Sequence, residues 1–361
     1  MPLADRLLMG PGPSNPYPEV LLALARPVLG HLDPEFLSLL DETNARLRTV
    51  FGTSNALTLP ISGTGSAGME TSFVNFVRPG DTVVVGVNGV FGERMCDVAA
   101  RHGAHVVRVE APWGEPLDPD ALLSAHRSPA VIALVHAETS TGVRNEVAPL
   151  AAGKGEALLL VDTVTSLGGM AVAVDDWGVD ISYSGTQKCL GVPPGLSPLT
   201  VSARARARLV ERPTSWYLDL NLLARYVEGG AGGRVYHHTA PVAMVAALHA
   251  GLGVLLEEGL AACWERHAAC GRLLADGLES LGLELLAPKD HRLAQLTTVR
   301  VPPGVDEAGV RRALLSDYGI EIGAGAGQLA GQVWRIGCMG HTARPRNVLA
   351  LLGALRQVLA A

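Results

Sequence analysis

The stretch ALLLVD at residues 157–162 is an uninterrupted apolar run that ends on an acidic residue. Further apolar runs in the first two thirds of the chain lack the alternation of a half-exposed strand, and several are typical of strands buried on both faces of a sheet. They are ALTLPI at 56–61, TVVVGV at 82–87, AHVVRV at 104–109 and VIALV at 131–135. Helix-like segments such as 67–77 and 92–101 lie between them. This alternation predicts an α/β domain with a mainly parallel sheet.

The pattern of predicted secondary structure changes after the glycine-rich run GGAGG at 229–233. Helical periodicity dominates residues 241–281, and short strands and helices then predict a smaller α+β domain. These elements are strands near 296–301 and 333–336 and helices near 307–315 and 346–359. A length of 361 residues also favours one large and one small domain. We predict an N-terminal arm at 1–16, a large domain at 17–256 and a small domain at 257–361.

The overall composition argues against several classes of function. Hydrophobic residues make up 48% of the chain and charged residues 18%, which is enough for a sizeable core. A net charge of −6, no basic run and only 4% aromatic residues argue against a nucleic acid partner. We find neither a signal-peptide pattern at the N-terminus nor an apolar run of bilayer length. The five scattered cysteines do not predict a disulfide framework, so we expect a cytoplasmic protein without membrane contact.

The chain contains only three lysines, and one of them lies where a ligand site is expected. Lys188 follows the strand-like VDISYS at 179–184 and precedes the rigid turn GVPPG at 191–195. Sheets of α/β domains bind ligands at the ends of their strands, and a partly desolvated lysine there is suited to imine formation. Lys154 and Lys289 stand in sequences typical of exposed turns. A surface lysine in a loop is the alternative interpretation of Lys188 taken by itself.

Asp162 adds a second chemical group at a strand end. A carboxylate at the tip of a buried strand is costly unless it has a partner. A pyridinium nitrogen would be such a partner, and the pairing would keep that nitrogen protonated. The alternative is a structural aspartate that caps the turn after residue 162. An aspartate and a lysine at successive strand tips favour the functional interpretation.

The segment SGTGSAGME at 62–70 has the composition of a phosphate-binding turn. Its glycines let the backbone approach an anion, and its hydroxyls and helix N-terminus can bind a phosphate. Gly63, Gly65 and Gly68 also match the dinucleotide pattern, which requires an acidic residue at the tip of the next strand. That strand ends VGVN at 85–88, so we favour a monophosphate site. A nucleotide-binding module is the alternative.

Ordered motifs along nearly the whole chain carry a specific resemblance. They are MGPGPSN at 9–15, ISGTGSAGME at 61–70, GVFGER at 89–94, ETSTGV at 138–143, LVD at 160–162, SLGG at 166–169, YSGTQK at 183–188, PPG at 193–195, YHHT at 236–239 and RIG at 335–337. Together they resemble the class V aminotransferases, within them the alanine–glyoxylate (serine–pyruvate) aminotransferase family. The resemblance implies a fold-type I transferase that uses pyridoxal 5'-phosphate. It also implies a homodimer with shared active sites.

The resemblance further implies ping-pong transamination of a small amino acid with glyoxylate or pyruvate, with alanine, serine or a ureido-amino acid left open as the donor. The roles that it implies for individual residues follow the family motifs. Lys188 would form the imine, Asp162 would pair with the ring nitrogen, Phe91 and Val164 would cover the two ring faces, and Thr139 would lie near the ring oxygen. Thr64, Gly65, Ser66 and Gln187 would hold the phosphate together with Tyr236 and Thr239 of the partner subunit. Gly12 and Arg335 would contact the substrate, and Arg335 would bind the carboxylate of the substrate.

Three of these positions depart from the pattern of the vertebrate members. Ser66, Phe91 and Thr139 stand where histidine, tryptophan and serine are common. Each keeps a donor, an aromatic face or a hydroxyl at its position. The departures therefore bear on cofactor affinity and on the preferred amino donor.

Other candidate groups carry weaker signals. Cys263, His267 and Cys270 share one helical face, but a metal site would need a fourth ligand, so we predict a core-facing stripe and no metal. A cysteine desulfurase is a further alternative, and Cys338 is the candidate nucleophile that it would require. We expect Cys189 and Trp334 to pack in the interior, and His237 and His238 to belong to the phosphate loop.

Overall fold

The computed structural model describes residues 4–229 and 233–360. Residues 1–3 of the predicted arm, 230–232 of the glycine-rich run and residue 361 lie outside the described residues.

The described residues form strands, helices and three short 3-10 turns. The elements are β1 (Leu7–Leu8), α1 (Pro18–Leu24), α2 (Pro34–Phe51), β2 (Leu57–Ser62), α3 (Gly65–Phe76), β3 (Thr82–Val87), α4 (Val90–Arg101), β4 (His105–Glu110), α5 (Pro119–Ser124), β5 (Val131–Val135), β6 (Ala137–Glu138), β7 (Val143–Arg144), α6 (Leu150–Gly153), β8 (Leu158–Asp162), β9 (Ile181–Tyr183), β10 (Leu196–Val201), α7 (Ala203–Arg206), α8 (Leu220–Val227), α9 (Val242–Glu258), α10 (Leu260–Ser280), β11 (Leu296–Arg300), α11 (Glu307–Tyr318), β12 (Ile320–Glu321), β13 (Gly323–Ala324), β14 (Val333–Gly337) and α12 (Pro345–Ala360). The 3-10 turns are Lys289–His291, Gly327–Leu329 and Gly340–Thr342.

A seven-stranded sheet forms the centre of the larger part of the chain. Its strand order is β2-β10-β9-β8-β5-β3-β4, and only β10 runs antiparallel to its neighbours. Every residue of β5 and β8 is buried, as their unbroken apolar sequences predict. The prediction of a mainly parallel sheet is confirmed, and the strands at 82–87 and 131–135 have the predicted bounds.

A second apolar core lies in the C-terminal third. The antiparallel sheet β11-β14-β13 packs with α10, α11 and α12 around buried side chains such as Leu274, Trp334 and Leu351. Trp334 is fully buried and donates its indole N–H to the Glu307 carbonyl at 3.1 Å, which confirms its predicted place in the core. Met9 of the arm belongs to this second core, and β1 pairs with β12.

The long helices α9 and α10 meet at Gly259 with a bend of 87°. Within the described ranges, no single helix has the length and apolar composition to cross a membrane; only this bent pair, taken together, meets the test. The bend lies close to residue 257, where we predict the division between the domains, although Cys263 of α10 still belongs to the first core. The domain bounds themselves stay a prediction.

The prediction that Lys154 lies in an exposed turn is wrong. Its ammonium group forms an ion pair of 2.6 Å with Asp180, and its side chain is only 12% exposed. Asp180 also accepts bonds from Arg204 at 2.8 Å and from the Leu159 amide at 2.9 Å. A carboxylate buried beside β8 and β9 requires such counter-charges, and sequence spacing does not reveal them. Lys289, in contrast, is exposed as predicted.

Replacement of Asp180 should destabilise the sheet. Burial acts to raise the Asp180 pKa, but hydrogen bonds from Arg204 and Lys154 outweigh it, so the pKa is lowered. Asp180→Asn leaves two cations without their partner and should cost about 3 kcal/mol of unfolding free energy in urea denaturation at pH 7. Because the folded-state pKa is depressed, the difference should shrink as the pH falls through it.

The control for this variant is Glu156→Ala. Glu156 approaches Arg204 at 4.0 Å, but its side chain is 99% exposed. Its removal should change stability by less than about 0.5 kcal/mol. Equal denaturation midpoints for the two variants would contradict a stabilising role of the Asp180 cluster.

Candidate active site

Lys188 lies beyond the carboxyl end of β9 and is buried. Its Nζ donates a hydrogen bond to the Pro11 carbonyl of the N-terminal arm. A Cβ on Gly12 would stand 2.7 Å from Lys188 Cδ, and Gly12 has a φ of +104°, so this close approach requires glycine. The arm therefore covers the lysine, and Gly12 lies beside it.

The arm is fixed at both of its ends. Ser14 donates its backbone N–H to the Gln187 carbonyl at 2.9 Å and its hydroxyl to the Lys188 carbonyl at 2.8 Å. At the other end, the Met9 amide donates to the Glu321 carbonyl at 2.9 Å. These bonds connect β12 to the lysine segment, so the position of Lys188 depends on both parts of the chain.

The electrostatic environment of Lys188 favours its neutral amine. Burial and, second, the positive charge of Arg335 lower the Lys188 pKa to about 8. About a tenth of such an amine is neutral at pH 7, whereas an ordinary lysine has far less. A neutral, buried amine is both a nucleophile and a base, which are the properties that imine chemistry requires.

Asp162 occupies the last position of β8, and its two oxygens have separate tasks. Oδ1 accepts the Val164 amide at 2.8 Å, which caps the following turn as the structural alternative predicts. Oδ2 accepts the Tyr183 hydroxyl at 2.7 Å, and Asp162 lines a cavity. Burial raises the Asp162 pKa to about 6, while the bonds from Val164 and Tyr183 oppose that rise. The carboxylate is therefore an anion at neutral pH, able to pair with a protonated ring nitrogen.

A cavity of about 170 Å³ brings eight of the predicted site residues together. They are Thr64, Gly65, Ser66, Phe91, Asp162, Val164, Gln187 and Lys188. Larger pockets occur elsewhere, but this one contains the chemistry, so we take it as the candidate active site. Met69 and Arg94 complete its lining.

The remaining predicted residues lie around this cavity or away from it. Arg335 is half-buried and donates its Nε to the Ala324 carbonyl at 2.7 Å and its Nη1 to the Thr139 carbonyl at 3.4 Å. Thr139 is therefore beside Arg335. Tyr236 and Thr239 are exposed and do not line the cavity of their own chain; the Tyr236 ring packs against His31 instead.

One end of the cavity has the features of a phosphate site. Helix α3 begins at Gly65, its N-cap Thr64 makes no side-chain hydrogen bond, and Thr64, Gly65 and Ser66 line the cavity. A Cβ on Gly65 would stand 2.9 Å from Val164 Cγ2. Gln187 also lines the cavity, and its side-chain amide can donate an N–H to a phosphate. These features fit the phosphate and ring of pyridoxal phosphate.

Sequence reasoning missed two residues of the site. Tyr183 lies opposite Asp162 in the register of β8 and β9, which places its hydroxyl on the carboxylate. Arg94 donates to the Ser66 hydroxyl at 3.2 Å, and its guanidinium group lies 4.9 Å from the centre of the Phe91 ring. The i,i+3 spacing of Phe91 and Arg94 on a predicted helix was a signal that could have found the second.

The His/Cys stripe on α10 has a structural role. His267 uses Nδ1 to bond the Cys263 carbonyl at 2.7 Å, and its Nε2 accepts the Gly340 amide at 3.0 Å. Both ring nitrogens are thereby occupied, and burial lowers the His267 pKa to about 4. The part of the chain that the structure describes has no group of three or more metal-ligating side chains, and the predicted core-facing stripe is confirmed.

The two remaining cysteines of interest and the histidine pair also have structural partners. Cys338 is fully buried in the second core, and burial raises its thiol pKa, so it lacks the exposure that a desulfurase nucleophile requires. Cys189 is buried as predicted and bonds the Thr165 carbonyl at 3.3 Å. His238 Nε2 lies 2.8 Å from the Ser62 hydroxyl, directly before the phosphate turn.

Comparison with known proteins decides the family. The family model for aminotransferase class-V matches residues 19–341. The chain belongs to the class-V aminotransferases. It is 40% identical to the alanine–glyoxylate aminotransferase of Callithrix jacchus (99% of this chain, 88% of that protein). It is 38% identical to the (S)-ureidoglycine–glyoxylate transaminase of Bacillus subtilis strain 168 (98% and 90%).

A solved structure gives the same result for the fold. The crystal structure of an alanine–glyoxylate aminotransferase from Nostoc sp. superposes with a TM-score of 0.96 at 49% identity, covering 99% of this chain and 96% of the other. The predicted fold-type I architecture and the predicted dependence on pyridoxal phosphate are confirmed by this family membership. The nucleotide-binding module is thereby set aside.

Lys188 should capture pyridoxal phosphate with a pH dependence that reports its lowered pKa. Only the neutral amine reacts, so the capture rate of the apoprotein should rise up to about pH 8 and then level off. Nα-acetyl-lysine, measured alongside by stopped-flow absorbance, should continue to rise toward its ordinary pKa of about 10.4. Borohydride reduction and peptide mapping should then find the cofactor on Lys188.

A capture rate that keeps rising above pH 9, or label on Lys154 or Lys289, would contradict the assignment. The ion pair of Lys154 with Asp180 makes it a suitable internal control.

Proposed function

We propose that this aminotransferase moves the amino group of a small amino acid, alanine or serine, to glyoxylate or pyruvate by a ping-pong mechanism through Lys188. The observation that carries the proposal is the placement of Arg335 beside a site that contains Lys188 and Asp162. Arg335 bonds only to carbonyl groups, and it has no carboxylate partner within the described residues. Its guanidinium group is thus available for the α-carboxylate of a substrate.

The proposed division of labour follows from the geometry. Pyridoxal phosphate, when bound, supplies the electron sink for the α-carbon of the substrate. Lys188 Nζ takes the α-proton and returns it, since its lowered pKa keeps part of the amine neutral. Asp162 Oδ2 holds the ring nitrogen in its protonated form, and the Tyr183 hydroxyl orients that oxygen. The arm excludes water from Lys188 through Pro11 and Gly12.

The proposed contacts of the cofactor retain the sequence-based assignment. Phe91 and Val164 cover the ring, Thr139 lies near the ring oxygen, and Thr64, Gly65, Ser66 and Gln187 bind the phosphate. The uncapped start of α3 and the place of Gln187 in the cavity lining support the phosphate contacts. Gly12 and Arg335 contact the substrate in this proposal.

The similar proteins support the acceptor more strongly than the donor. The names of two relatives share glyoxylate as acceptor but differ in the donor, alanine in one and ureidoglycine in the other. The tight approach of Gly12 to Lys188 favours a small donor side chain. Ureidoglycine, the donor named for the Bacillus relative, is the second candidate.

A donor–acceptor panel tests the proposal, with alanine, serine and ureidoglycine as donors and glyoxylate and pyruvate as acceptors. Arg335→Lys replaces a bidentate fork by a point charge and should raise KM for donor and acceptor by about tenfold or more. Cofactor binding, followed by visible absorbance, should persist. Arg300→Lys on the same small sheet, where Arg300 pairs with Glu284 at the surface, is the control and should be neutral.

Unchanged kinetics of the Arg335 variant would refute the carboxylate role. A cofactor-loaded protein that is inactive with every donor would refute the proposed substrates.

We also propose a homodimer in which Tyr236 and Thr239 bind the phosphate of the partner subunit. Both residues are exposed and are absent from the lining of their own cavity, which supports this arrangement. Large apolar side chains are also exposed, including Leu22 at 68%, Val28 at 70% and Trp216 at 61%. Such side chains are typical of an interaction surface. No nucleic acid or membrane partner is part of the proposal, and a cytoplasmic location stays a prediction.

Complementation should reveal the shared site. Lys188→Ala is one inactive variant, and a chain altered at both Tyr236 and Thr239 is the other. Half the dimers refolded from an equal mixture are mixed, and one of their two sites is intact, so about a quarter of wild-type activity should return. Subunit exchange is measured separately, by affinity-tagging one variant and recovering the untagged chain with it. A mixture that exchanges subunits but stays inactive would rule the shared site out.

A further inference from the structure

A fully buried carboxylate beside the active site has no task in the proposed chemistry. Glu138 ends β6, directly before Thr139, whose carbonyl accepts Arg335 Nη1. Burial raises the Glu138 pKa, and bonds from Ser140 and from the amides of Phe91 and Gly92 oppose that rise. A buried carboxylate is costly unless its oxygens are satisfied. Its bonding partners therefore indicate what it does.

The start of helix α4 lacks a cap of its own. Its N-cap is Gly89, which has no side chain to accept the first amides of the helix. A Cβ on Gly89 would stand 2.3 Å from Glu138 Cγ and 2.4 Å from the Ser140 hydroxyl. Because these two side chains fill the space around residue 89, only glycine fits there.

Glu138 and Ser140 provide the missing cap from the β6–β7 hairpin. Glu138 Oε2 accepts the Phe91 amide at 3.2 Å, and the Ser140 hydroxyl accepts the Val90 amide at 2.9 Å. Glu138 Oε1 accepts both the hydroxyl of Ser140 at 2.6 Å and its amide at 3.0 Å. The carboxylate only accepts in these bonds, as an ionised group does, and an anion is stabilised at a helix N-terminus.

We propose that Glu138 is a positioning residue that fixes the Phe91 ring against the cofactor by capping α4. The carboxylate holds the backbone of the very residue whose ring lines the cavity, so the ring can move only through its own side-chain torsions. Arg94, over the same ring, restricts those torsions from the next turn of the helix. This inference rests on the proposed role of Phe91 in cofactor binding, but not on which donor or acceptor the enzyme uses.

The competing explanation is a purely electrostatic one. The negative charge of Glu138 also acts to raise the pKa values of Lys188 and Arg335, although it is not the largest influence on either. If Glu138 acted through its charge alone, its effect on cofactor binding would not depend on the ring of Phe91. The two explanations therefore differ in whether the effects of the two residues add.

A double-mutant cycle separates them. Glu138→Gln keeps the shape of the side chain. Because Ser140 donates to one carboxylate oxygen and Phe91 to the other, the NH2 group of the glutamine must face one of these donors and lose that hydrogen bond. The variant should weaken the binding of pyridoxal phosphate to the apoprotein about fivefold, which corresponds to about 1 kcal/mol. It should also reduce the visible circular dichroism of the bound cofactor. In a Phe91→Leu background, the same change should weaken binding no further.

The control is Asp118→Ala, which removes the N-cap of the remote helix α5, where Asp118 accepts the Asp120 amide. It should lower stability without changing cofactor affinity or dichroism. If Glu138→Gln does not fold, Ser140→Ala takes its place in the cycle. Equal weakening in both backgrounds, or unchanged affinity and dichroism, would overturn the proposal. Neither readout uses an amino or keto acid, so the substrate panel can fail independently.

Discussion

The side-by-side carboxyl ends of β8 and β9 are the constraint on which the site depends. Their parallel register places Tyr183 opposite Asp162 and directs the chain that leaves β9 over the same edge of the sheet. Lys188 follows on that segment and lines the same cavity as Asp162. A shift of the register by one residue would turn Tyr183 to the opposite face of the sheet and remove its bond to the carboxylate.

The charges at this edge are held by dipoles and not by ion pairs. In the described part of the chain, the Asp162 and Glu138 carboxylates accept N–H and O–H groups, and Lys188 and Arg335 donate to backbone carbonyls. The opposite charges lie close enough to stabilise one another, but none of them forms a direct ion pair. In the proposed function, the ring nitrogen of the cofactor can therefore pair with Asp162, and a substrate carboxylate with Arg335, without reorganisation of the protein. This is the preorganised environment that catalysis requires.

The N-terminal arm gives the site a connection between two hydrophobic cores. Met9 is packed in the C-terminal core, whereas Ser14 is bonded to the segment of Gln187 and Lys188 in the larger part. Between them, Pro11 and Gly12 lie on the lysine side chain. Movement of the small core relative to the sheet would therefore be felt directly at Lys188.

The sequence predicted much of the fold, and eight of the residues that it proposes for the site lie together around one cavity. Unbroken apolar runs predicted the buried strands, and the strand ends at Asp162 and before Lys188 predicted the edge of the sheet where this cavity lies. Prediction from the sequence failed where the environment of a side chain depends on a partner that is distant in the sequence. Lys154 has the sequence context of an exposed turn residue, but it forms an ion pair with Asp180. Arg94 has the sequence context of a surface residue on α4, but in the folded chain it donates to the Ser66 hydroxyl.

Local composition thus determined which segments become strands, which turns tolerate a close anion, and which lysine follows a strand end, because periodicity and glycine content act within a few residues. The tertiary structure decided the strand register, the approach of the arm to Lys188, and the capping of α4 by Glu138 and Ser140. Each of these brings together groups that are far apart in the chain. Their hydrogen bonds have strict distance requirements, so only the packed molecule specifies them.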